Sequence, residues 1–581
     1  MGADATEHLL TPASTCKGRC TKNVCLRVAP SLGCAILVCF FLGNLHKPLG
    51  SKKHVLPVKV ASSNNVAEHG HSPEAVVECG RIKGIWEQGV AAFRGIPYGL
   101  PPLGRNRWKP ALPAACWPAQ SKLDATRDGP ICIQYGVDAP GQSEDCLNLN
   151  VFVPAARFGT GGYLKPNESL PVFVWIYGGS NVYGSVQSSG DLANIVRRRS
   201  CVLVAMNYRM GIFGYLALQE LSAVDPRGSS GNLGITDQQR ALLWVQRNIA
   251  AFGGDRGRVT IFGQSSGGSN VLAHLASAPS RGLFQTAIAL SPSANLTMDR
   301  RTKEEQDRLL ILPQTACANM SGTNLLDCLY SSDAHVLNKA LPALYSTFSP
   351  LSDYPNTTDR RGMSSRIAAT LFVDGHTVTL PLREALKHGL HDVPLLLQGM
   401  QAEMACAPAA EVHNITKDGL RTFLNREFAD TYGAQVARTV DALYAQHYQP
   451  PEYAVYAVDG DTAVACALRQ LAMDAANGFK APVYWSTVVA GPSLPDGVSG
   501  MRFPFHKWDF MVASGLYGGN YMPSRQDVEL GARIWDSWYE LGVNGHIEDT
   551  TQWMAVQSTM PSAMVGSQVA KDATRTIVDY K

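Results

Sequence analysis

A serine in the setting of a nucleophile lies near the middle of the sequence. The segment 263–268, GQSSGG, follows the apolar run Val259–Phe262 and precedes a helix-compatible stretch, SNVLAHLAS. In a G-x-S-x-G turn between a strand and a helix, small neighbours permit a strained serine, whose hydroxyl is lifted above the sheet at the helix N-terminus. The bare pattern also arises by chance, but the flanking strand and helix make Ser265 our candidate nucleophile.

A serine hydroxyl is a weak nucleophile, so it needs a base, which a carboxylate in turn orients. His506 stands in the segment 503–510, FPFHKWDF, and Glu403 closely follows the apolar run Val393–Leu397. Loops that follow parallel strands are where sites on such sheets assemble. The alternatives are an ordinary surface or core histidine and an ordinary carboxylate at a helix start. We take His506 and Glu403 as candidates for the base and the acid.

A glycine loop offers backbone donors for the charged intermediate of acyl transfer. The segment 177–180, YGGS, leaves the hydrophobic run Leu170–Tyr177. Backbone N–H groups of such a loop can stabilise an oxyanion. A simple Gly-Gly turn is the alternative, but the candidate nucleophile later in the same chain favours the oxyanion loop.

The elements that must position these residues alternate along the chain. Continuous apolar runs, which are typical of strands covered on both faces, predict strands at Leu170–Tyr177, Cys201–Asn207, Val259–Gly263, Thr286–Leu290 and Val393–Leu397. Between two of them, Ile235–Phe252 has apolar residues at helical spacing and is followed by two glycines that end the helix. This repetition predicts an α/β fold built on a parallel sheet.

Length and composition exclude several classes of protein. The chain has 581 residues, of which 45% are hydrophobic and 17% charged, so a disordered, collagen-like or coiled-coil chain is excluded. Its 51 basic and 48 acidic side chains give a net charge of +3 without a dense basic stripe, so we expect no nucleic-acid partner. Neither a CxxC nor an HExxH motif occurs, and we expect no metal and no cofactor.

The N-terminal region contains a candidate membrane anchor. Val28–Leu45 is uncharged and apolar, and its length falls within the about 17 to 25 residues that span a bilayer core. Basic residues precede it and no small-residue cleavage pattern follows, which favours an uncleaved signal-anchor. We predict a cytoplasmic tail (1–27), a transmembrane anchor (28–45), a polar stalk (46–75) and a lumenal or extracellular domain (76–581). Secretion after signal cleavage is the alternative.

The cysteines and glycosylation sequons agree with an oxidising compartment. Of the 14 cysteines, an odd number follow the anchor, and the pairs Cys132/Cys146 and Cys317/Cys328 would close short loops. The pairing of the others stays open: Cys79, Cys116, Cys201, Cys406 and Cys466. Sequons of the form N-x-S/T, which accept glycans, occur at Asn167, Asn295, Asn319, Asn356 and Asn414.

Several ordered motifs carry a family resemblance. From about Val76 to about Val565 the chain resembles the type-B carboxylesterase and cholinesterase family of α/β-hydrolases. The matching segments are FRGIPY (93–98), SEDCLNLN (143–150), VWIYGG (174–179), NYRMG (207–211) and the stretch 231–268. The resemblance implies a mostly parallel, twisted sheet covered by helices on both faces.

The resemblance also implies roles for individual residues. It implies Ser265 as nucleophile, His506 as base and Glu403 as acid. Glu403 is placed by aligning PLLLQGMQAEM with the family's PLLIGVNKDEG. Because Ala402 precedes it and Met404 follows it, no adjacent carboxylate could replace Glu403.

Backbone donors, ion pairs and disulfides follow from the same resemblance. The implied oxyanion donors are the N–H groups of Gly179, Ser180 and Ser266. The implied ion pairs are Arg94–Glu144 and Arg209–Asp237, and the implied disulfides are Cys132–Cys146 and Cys317–Cys328.

The chain departs from the family's pattern around the nucleophile. Gln264 stands where the family has a glutamate, Ser180 where it has a third oxyanion glycine, and Asn181 where an aromatic residue is usual. The loop 132–146 contains no tryptophan, whereas cholinesterases hold a choline cation on a tryptophan there. Choline esters are therefore poor candidate substrates.

Two classes of function remain after these observations. The first is a membrane-anchored serine esterase that cleaves small carboxylic esters through an acyl-enzyme. The second is a catalytically dead adhesion protein of the same fold. Dead relatives typically lose the nucleophile, whereas Ser265, Glu403 and His506 are all present here, which favours the esterase. A peptidase is a third, less favoured option, and the sequence leaves the substrate and the oligomeric state open.

Overall fold

The computed structural model describes most of the chain after the N-terminal region. It describes residues 71–548 and 576–578, apart from 137–140, 160, 166–168, 295, 343–344, 346–369, 407–411, 413, 430–431, 446–447, 494–500 and 518–520. The predicted tail, the anchor (28–45) and nearly all of the stalk lie outside the described residues. Within the part that is described, we find no helix whose length and apolar character would let it cross a membrane.

A ten-stranded mixed sheet forms the centre of the protein, in the order β15-β14-β13-β12-β11-β9-β10-β8-β4-β3. The strands are β1 (Glu74–Val77), β2 (Gly80–Lys83), β3 (Ile85–Glu87), β4 (Val90–Pro97), β5 (Lys122–Asp124), β6 (Ile131–Cys132), β7 (Gln142–Ser143), β8 (Asn148–Pro154), β9 (Leu170–Ile176), β10 (Val202–Met206), β11 (Gly254–Gln264), β12 (Thr286–Leu290), β13 (Leu395–Met400), β14 (Val483–Val488) and β15 (Thr576–Val578). Every neighbouring pair from β10 to β15 is parallel, whereas β8, β4 and β3 add an antiparallel edge.

The central strands are buried along their whole length. Every residue of β9, β10, β12, β13 and β14 is buried. Because successive side chains of a strand point to opposite faces, this burial means that the sheet is covered on both faces. The α/β fold and its largely parallel sheet are therefore confirmed, and β1 shows that the folded body begins slightly before Val76.

Helices surround this sheet, some packed against its strands and others mainly against neighbouring helices. They are α1 (Ala193–Arg198), α2 (Gly211–Tyr215), α3 (Gln219–Val224), α4 (Leu233–Asn248), α5 (Ser266–Leu275), α6 (Arg300–Leu310), α7 (Gly322–Ser331), α8 (Ala334–Asn338), α9 (Leu382–Lys387), α10 (Lys417–Leu424), α11 (Ala434–Tyr444), α12 (Pro451–Gly460), α13 (Cys466–Gly478), α14 (Trp508–Ser514) and α15 (Arg525–Asn544). The helix predicted over Ile235–Phe252 is α4 continued by a 3-10 turn, and Gly253 ends it in a left-handed conformation with φ 75°.

One of the two expected ion pairs is confirmed and the other is wrong. Arg209 and Asp237 form a fully buried pair with an N–O distance of 2.6 Å. Arg94 does not bind Glu144, because it contacts Glu87 on the neighbouring strand at 2.7 Å and Asp128 at 3.1 Å. The Glu144 carboxylate instead accepts two hydrogen bonds from the Arg107 guanidinium, from Nε at 2.6 Å and from Nη2 at 2.8 Å.

Disulfides close three loops of the described chain. Cys132–Cys146 and Cys317–Cys328 are confirmed, and Cys79–Cys116, whose pairing the sequence left open, is a third bond. Cys201 and Cys466 remain thiols, and burial raises the pKa of Cys201 well above its usual value. The side chain of Cys406 lies outside the described residues.

The sequons fall partly on described residues. Asn319 and Asn414 are exposed, so both are accessible to a glycan. Asn167, Asn295 and Asn356 lie outside the described residues.

Candidate active site

Ser265 lies at the sharp turn between β11 and α5. Its backbone has φ 61° and ψ −130°, a conformation that L-residues rarely adopt. The turn is tight because its neighbours are glycines: a Cβ on Gly267 would lie 2.1 Å from the Ile176 carbonyl oxygen, and one on Gly263 would lie 2.5 Å from Gly267. The strained turn expected of a nucleophile elbow is therefore present, and Ser265 is half-buried at the N-terminus of α5.

Glu403 and His506 form a close pair. The His506 ring nitrogen Nδ1 lies 2.6 Å from Glu403 Oε2, and the His506 backbone N–H donates to the Glu403 carbonyl at 3.1 Å. The second oxygen, Oε1, accepts the Met400 backbone N–H at 2.7 Å, which fixes the carboxylate. Glu403 is fully buried and the His506 side chain is 16% exposed. Because the carboxylate can only accept, Nδ1 carries the proton and Nε2 is left as the basic nitrogen.

The parallel sheet brings the three candidate residues to one edge. Ser265 follows β11, Glu403 follows β13, and His506 lies beyond β14. Gln264, Leu290 and Gln398 are aligned across β11, β12 and β13, so β11 and β12 end level with one another and β13 continues to Met400. The carboxyl-terminal edge of a parallel sheet is the usual place for a site, because the loops that follow the strands converge there.

The loop 177–183 passes directly beside Ser265. A Cβ on Gly178 would lie 2.8 Å from the Ser265 Cβ, so only glycine allows this approach. The next residues, Gly179, Ser180 and Asn181, all have positive φ values, 125°, 56° and 58°. The left-handed region costs an L-residue roughly 1–2 kcal/mol, less for asparagine. The candidate oxyanion loop is therefore adjacent to the candidate nucleophile and is strained at Ser180.

Asp509 is a buried carboxylate near the histidine that the sequence did not single out. Its Oδ2 accepts Gln398 Nε2 at 2.7 Å, and its Oδ1 accepts the Phe510 N–H at 2.7 Å. Burial raises the pKa of Asp509 to about 6, and the charge of Glu403 adds to this, while both hydrogen bonds and His506 lower the pKa. The one signal in the sequence is a charged residue within the apolar segment after His506.

No metal site is found in the described part of the chain, where no cluster of His, Cys, Asp and Glu side chains could hold an ion.

Comparison with known proteins assigns the family. Residues 71–560 match the family described as the carboxylesterase family, and the chain therefore belongs to it. Among solved structures, a PNB esterase is similar with a TM-score of 0.64 and 27% identity, covering 84% of this chain and 94% of that one. A thermophilic PNB esterase has a TM-score of 0.64 and 25% identity over the same shares.

Curated relatives match over shorter stretches. A para-nitrobenzyl esterase of Bacillus subtilis (strain 168) is 41% identical over 234 residues, 39% of this chain and 44% of that protein. A carboxylic ester hydrolase of Bombus ignitus is 35% identical over 303 residues, 49% of this chain and 51% of that protein. The matched part thus spans about half the length of these curated relatives or less.

Proposed function

We propose that this protein is a serine hydrolase that cleaves small carboxylic esters through an acyl-enzyme, with Ser265 as nucleophile, His506 as base and Glu403 as acid. The observation that carries the proposal is the 2.6 Å contact between Glu403 and His506 at the same sheet edge as the strained turn of Ser265. A buried carboxylate that holds a histidine ring in one tautomer is what a general base requires.

Each residue has one task in this mechanism. His506 Nε2 takes the Ser265 hydroxyl proton as Oγ attacks the ester carbonyl, and it then gives that proton to the departing alkoxide. Water repeats the sequence on the acyl-serine and releases the acid. The backbone N–H groups of Gly179, Ser180 and Ser266 stabilise the oxyanion of each tetrahedral intermediate.

The charges around the histidine favour the cation that forms during the reaction. Glu403 is buried beside the ring, and Asp509 is ionised above a pH of about 6. An anion near an imidazolium stabilises it. Gln264, which replaces the family's glutamate, is buried and uncharged, so Glu403 and Asp509 supply this stabilisation.

Labelling and turnover together test the proposal. The domain 76–581 should react with a fluorophosphonate probe at Ser265 and hydrolyse p-nitrophenyl acetate and related short esters. A protein that neither labels nor turns over any ester of an acyl-chain series would instead support the adhesion function.

The acyl specificity should depend on Ser180. Ser180 follows closely after Gly178, which approaches Ser265, and we infer that its Cβ and hydroxyl project beside Ser265 and crowd larger acyl groups. Ser180→Gly should raise kcat/KM for butyrate and longer esters by about 5- to 150-fold, and much less for acetate. Kinetics over an acyl-chain series would measure this.

A control separates crowding from backbone strain at Ser180. Gln88 also has a positive φ, 41°, in an exposed turn far from the site, so Gln88→Gly should leave acyl specificity unchanged. Equal gains for all chain lengths in Ser180→Gly would contradict the crowding argument and point to relief of backbone strain.

We further propose that the domain faces an oxidising, glycosylating compartment and is held by the segment 28–45, with secretion after signal cleavage as the alternative. Three disulfides and two exposed sequons support this placement. The full chain made in eukaryotic cells should lose mass on deglycosylation, less so after Asn319→Gln and Asn414→Gln, and should resist carbonate extraction from membranes. An unglycosylated chain would contradict the placement.

A further inference from the structure

The backbone of the loop 177–183 has an unusual conformation, which needs contacts from the rest of the protein to stabilise it. Ser180 and Asn181 are consecutive non-glycine residues in the left-handed region, and two glycines precede them. Glycines give a chain freedom to leave such a conformation. An oxyanion hole, in contrast, needs donors fixed at hydrogen-bond distance from the position that the oxyanion will occupy.

Asn181 is the residue through which the loop is tied down. It is 1% exposed, and each of its polar groups has a partner. Its backbone N–H donates to Ser266 Oγ at 3.0 Å, and its carbonyl accepts the Gly211 N–H at 2.7 Å. Its side-chain Oδ1 accepts Asn270 Nδ2 at 3.0 Å, and its Nδ2 donates to Thr370 Oγ1 at 3.2 Å.

Two of these partners belong to the helix that begins after the nucleophile. Ser266 is the first residue of α5, and Asn270 follows one turn later on the same side of the helix. Asn270 also donates to the Tyr208 hydroxyl at 3.3 Å, which in turn donates to the Tyr177 carbonyl at 2.6 Å. Helix α5 therefore holds the loop 177–183 by hydrogen bonds at two points. One is Asn181, and the other, reached through Tyr208, is Tyr177, where the loop leaves β9.

We propose that the Ser266 hydroxyl and the Asn270 amide act through Asn181 as positioning residues that hold the oxyanion loop in register with Ser265. The inference rests on the proposed esterase function and adds a side-chain role for Ser266 to the role of its backbone N–H. It also gives a reason for Asn181, because a phenylalanine side chain there, which has no polar atom, could make neither side-chain bond.

Kinetics of Ser266→Ala and Asn270→Ala test the proposal. Each change loosens the loop while keeping every backbone donor. We expect kcat and kcat/KM for p-nitrophenyl acetate to fall together by about 10-fold with KM within twofold, because the lost interaction acts in the transition state. The Ki of a trifluoromethyl ketone, which forms a tetrahedral adduct with serine, should rise by the same factor.

A matched control separates positioning from general stability. Ser230 is buried, and its Oγ accepts the Leu218 backbone N–H at 3.1 Å, as the Oγ of the half-buried Ser266 accepts that of Asn181. Ser230→Ala should lower the melting temperature without changing kcat or the Ki. Equal losses of kcat in Ser230→Ala and Ser266→Ala would overturn the proposal, as would a Ser266→Ala enzyme with unchanged kcat and Ki.

Hydrogen exchange provides a readout that is independent of catalysis. Peptides that cover 177–184 should exchange faster in Ser266→Ala and Asn270→Ala than in wild type or Ser230→Ala. Unchanged exchange in this segment would overturn the inference even if the protein proved to have no esterase activity. A wild type without activity but with the expected exchange would contradict the proposed function alone.

Discussion

Replacing Ser265 by alanine is expected to reduce kcat for ester hydrolysis by about 10⁴- to 10⁶-fold, because only binding and the oxyanion donors would remain. The change removes one oxygen at a half-buried position, so the fold should persist. Stopped assays with p-nitrophenyl acetate and fluorophosphonate labelling would measure the loss. Circular dichroism would verify that the variant is folded.

A second serine near α5 is the control for this variant. Ser277 is fully buried just beyond the far end of α5, and its Oγ accepts Gln239 Nε2 at 2.8 Å. Ser277→Ala should keep near-full kcat and remain labelled by the probe. Near-full activity of Ser265→Ala would contradict the assignment of the nucleophile.

Replacing Glu403 by glutamine is expected to reduce kcat by about 10³- to 10⁴-fold. The new amide would present N–H to the His506 Nδ1, and its carbonyl oxygen would face the Met400 N–H, so the ring would hold its proton on Nε2. A histidine in that tautomer cannot accept the serine proton. Because Ala402 precedes Glu403, no neighbouring carboxylate can take over the role.

The control for Glu403 is another buried carboxylate that lies outside the site. Asp474 on α13 binds Arg383 of α9 at 2.5 Å and is 4% exposed. Asp474→Asn should lower stability and leave kcat within a few-fold of wild type. If Glu403→Gln lost no more activity than Asp474→Asn, Glu403 would not be the acid of the triad.

Asp509 and the third disulfide illustrate what sequence analysis missed. Asp509 reads as an ordinary acidic residue after His506. Its raised pKa comes mainly from burial in the folded protein, where it contacts Gln398, 111 positions away. Cys79 and Cys116 are separated by 37 residues, and nothing in their spacing distinguishes them from the other unassigned cysteines. Both features depend on packing between distant segments.

The sequence by itself determined the five central strands β9 to β13, the turn at Ser265 and the fold class. These are set by local patterns: apolar runs such as Thr286–Leu290 form strands because burial favours them, and glycines at 263 and 267 permit the sharp turn. The setting of Glu403 and His506 made them candidates and the family resemblance assigned their roles, and the structure places their side chains 2.6 Å apart across 103 positions.

The tertiary structure alone decided which partners each polar group takes. Arg94 and Glu144 carry opposite charges, but opposite charge alone does not determine which residues pair. In the folded protein Arg94 lies close to Glu87 and Asp128 and pairs with them instead. The bond from Asn181 to Ser266 joins residues 85 positions apart, so no periodicity could indicate it. Hydrogen bonds and ion pairs require their atoms to lie within a few ångströms of each other. Residues far apart in the sequence come that close only after the chain has folded.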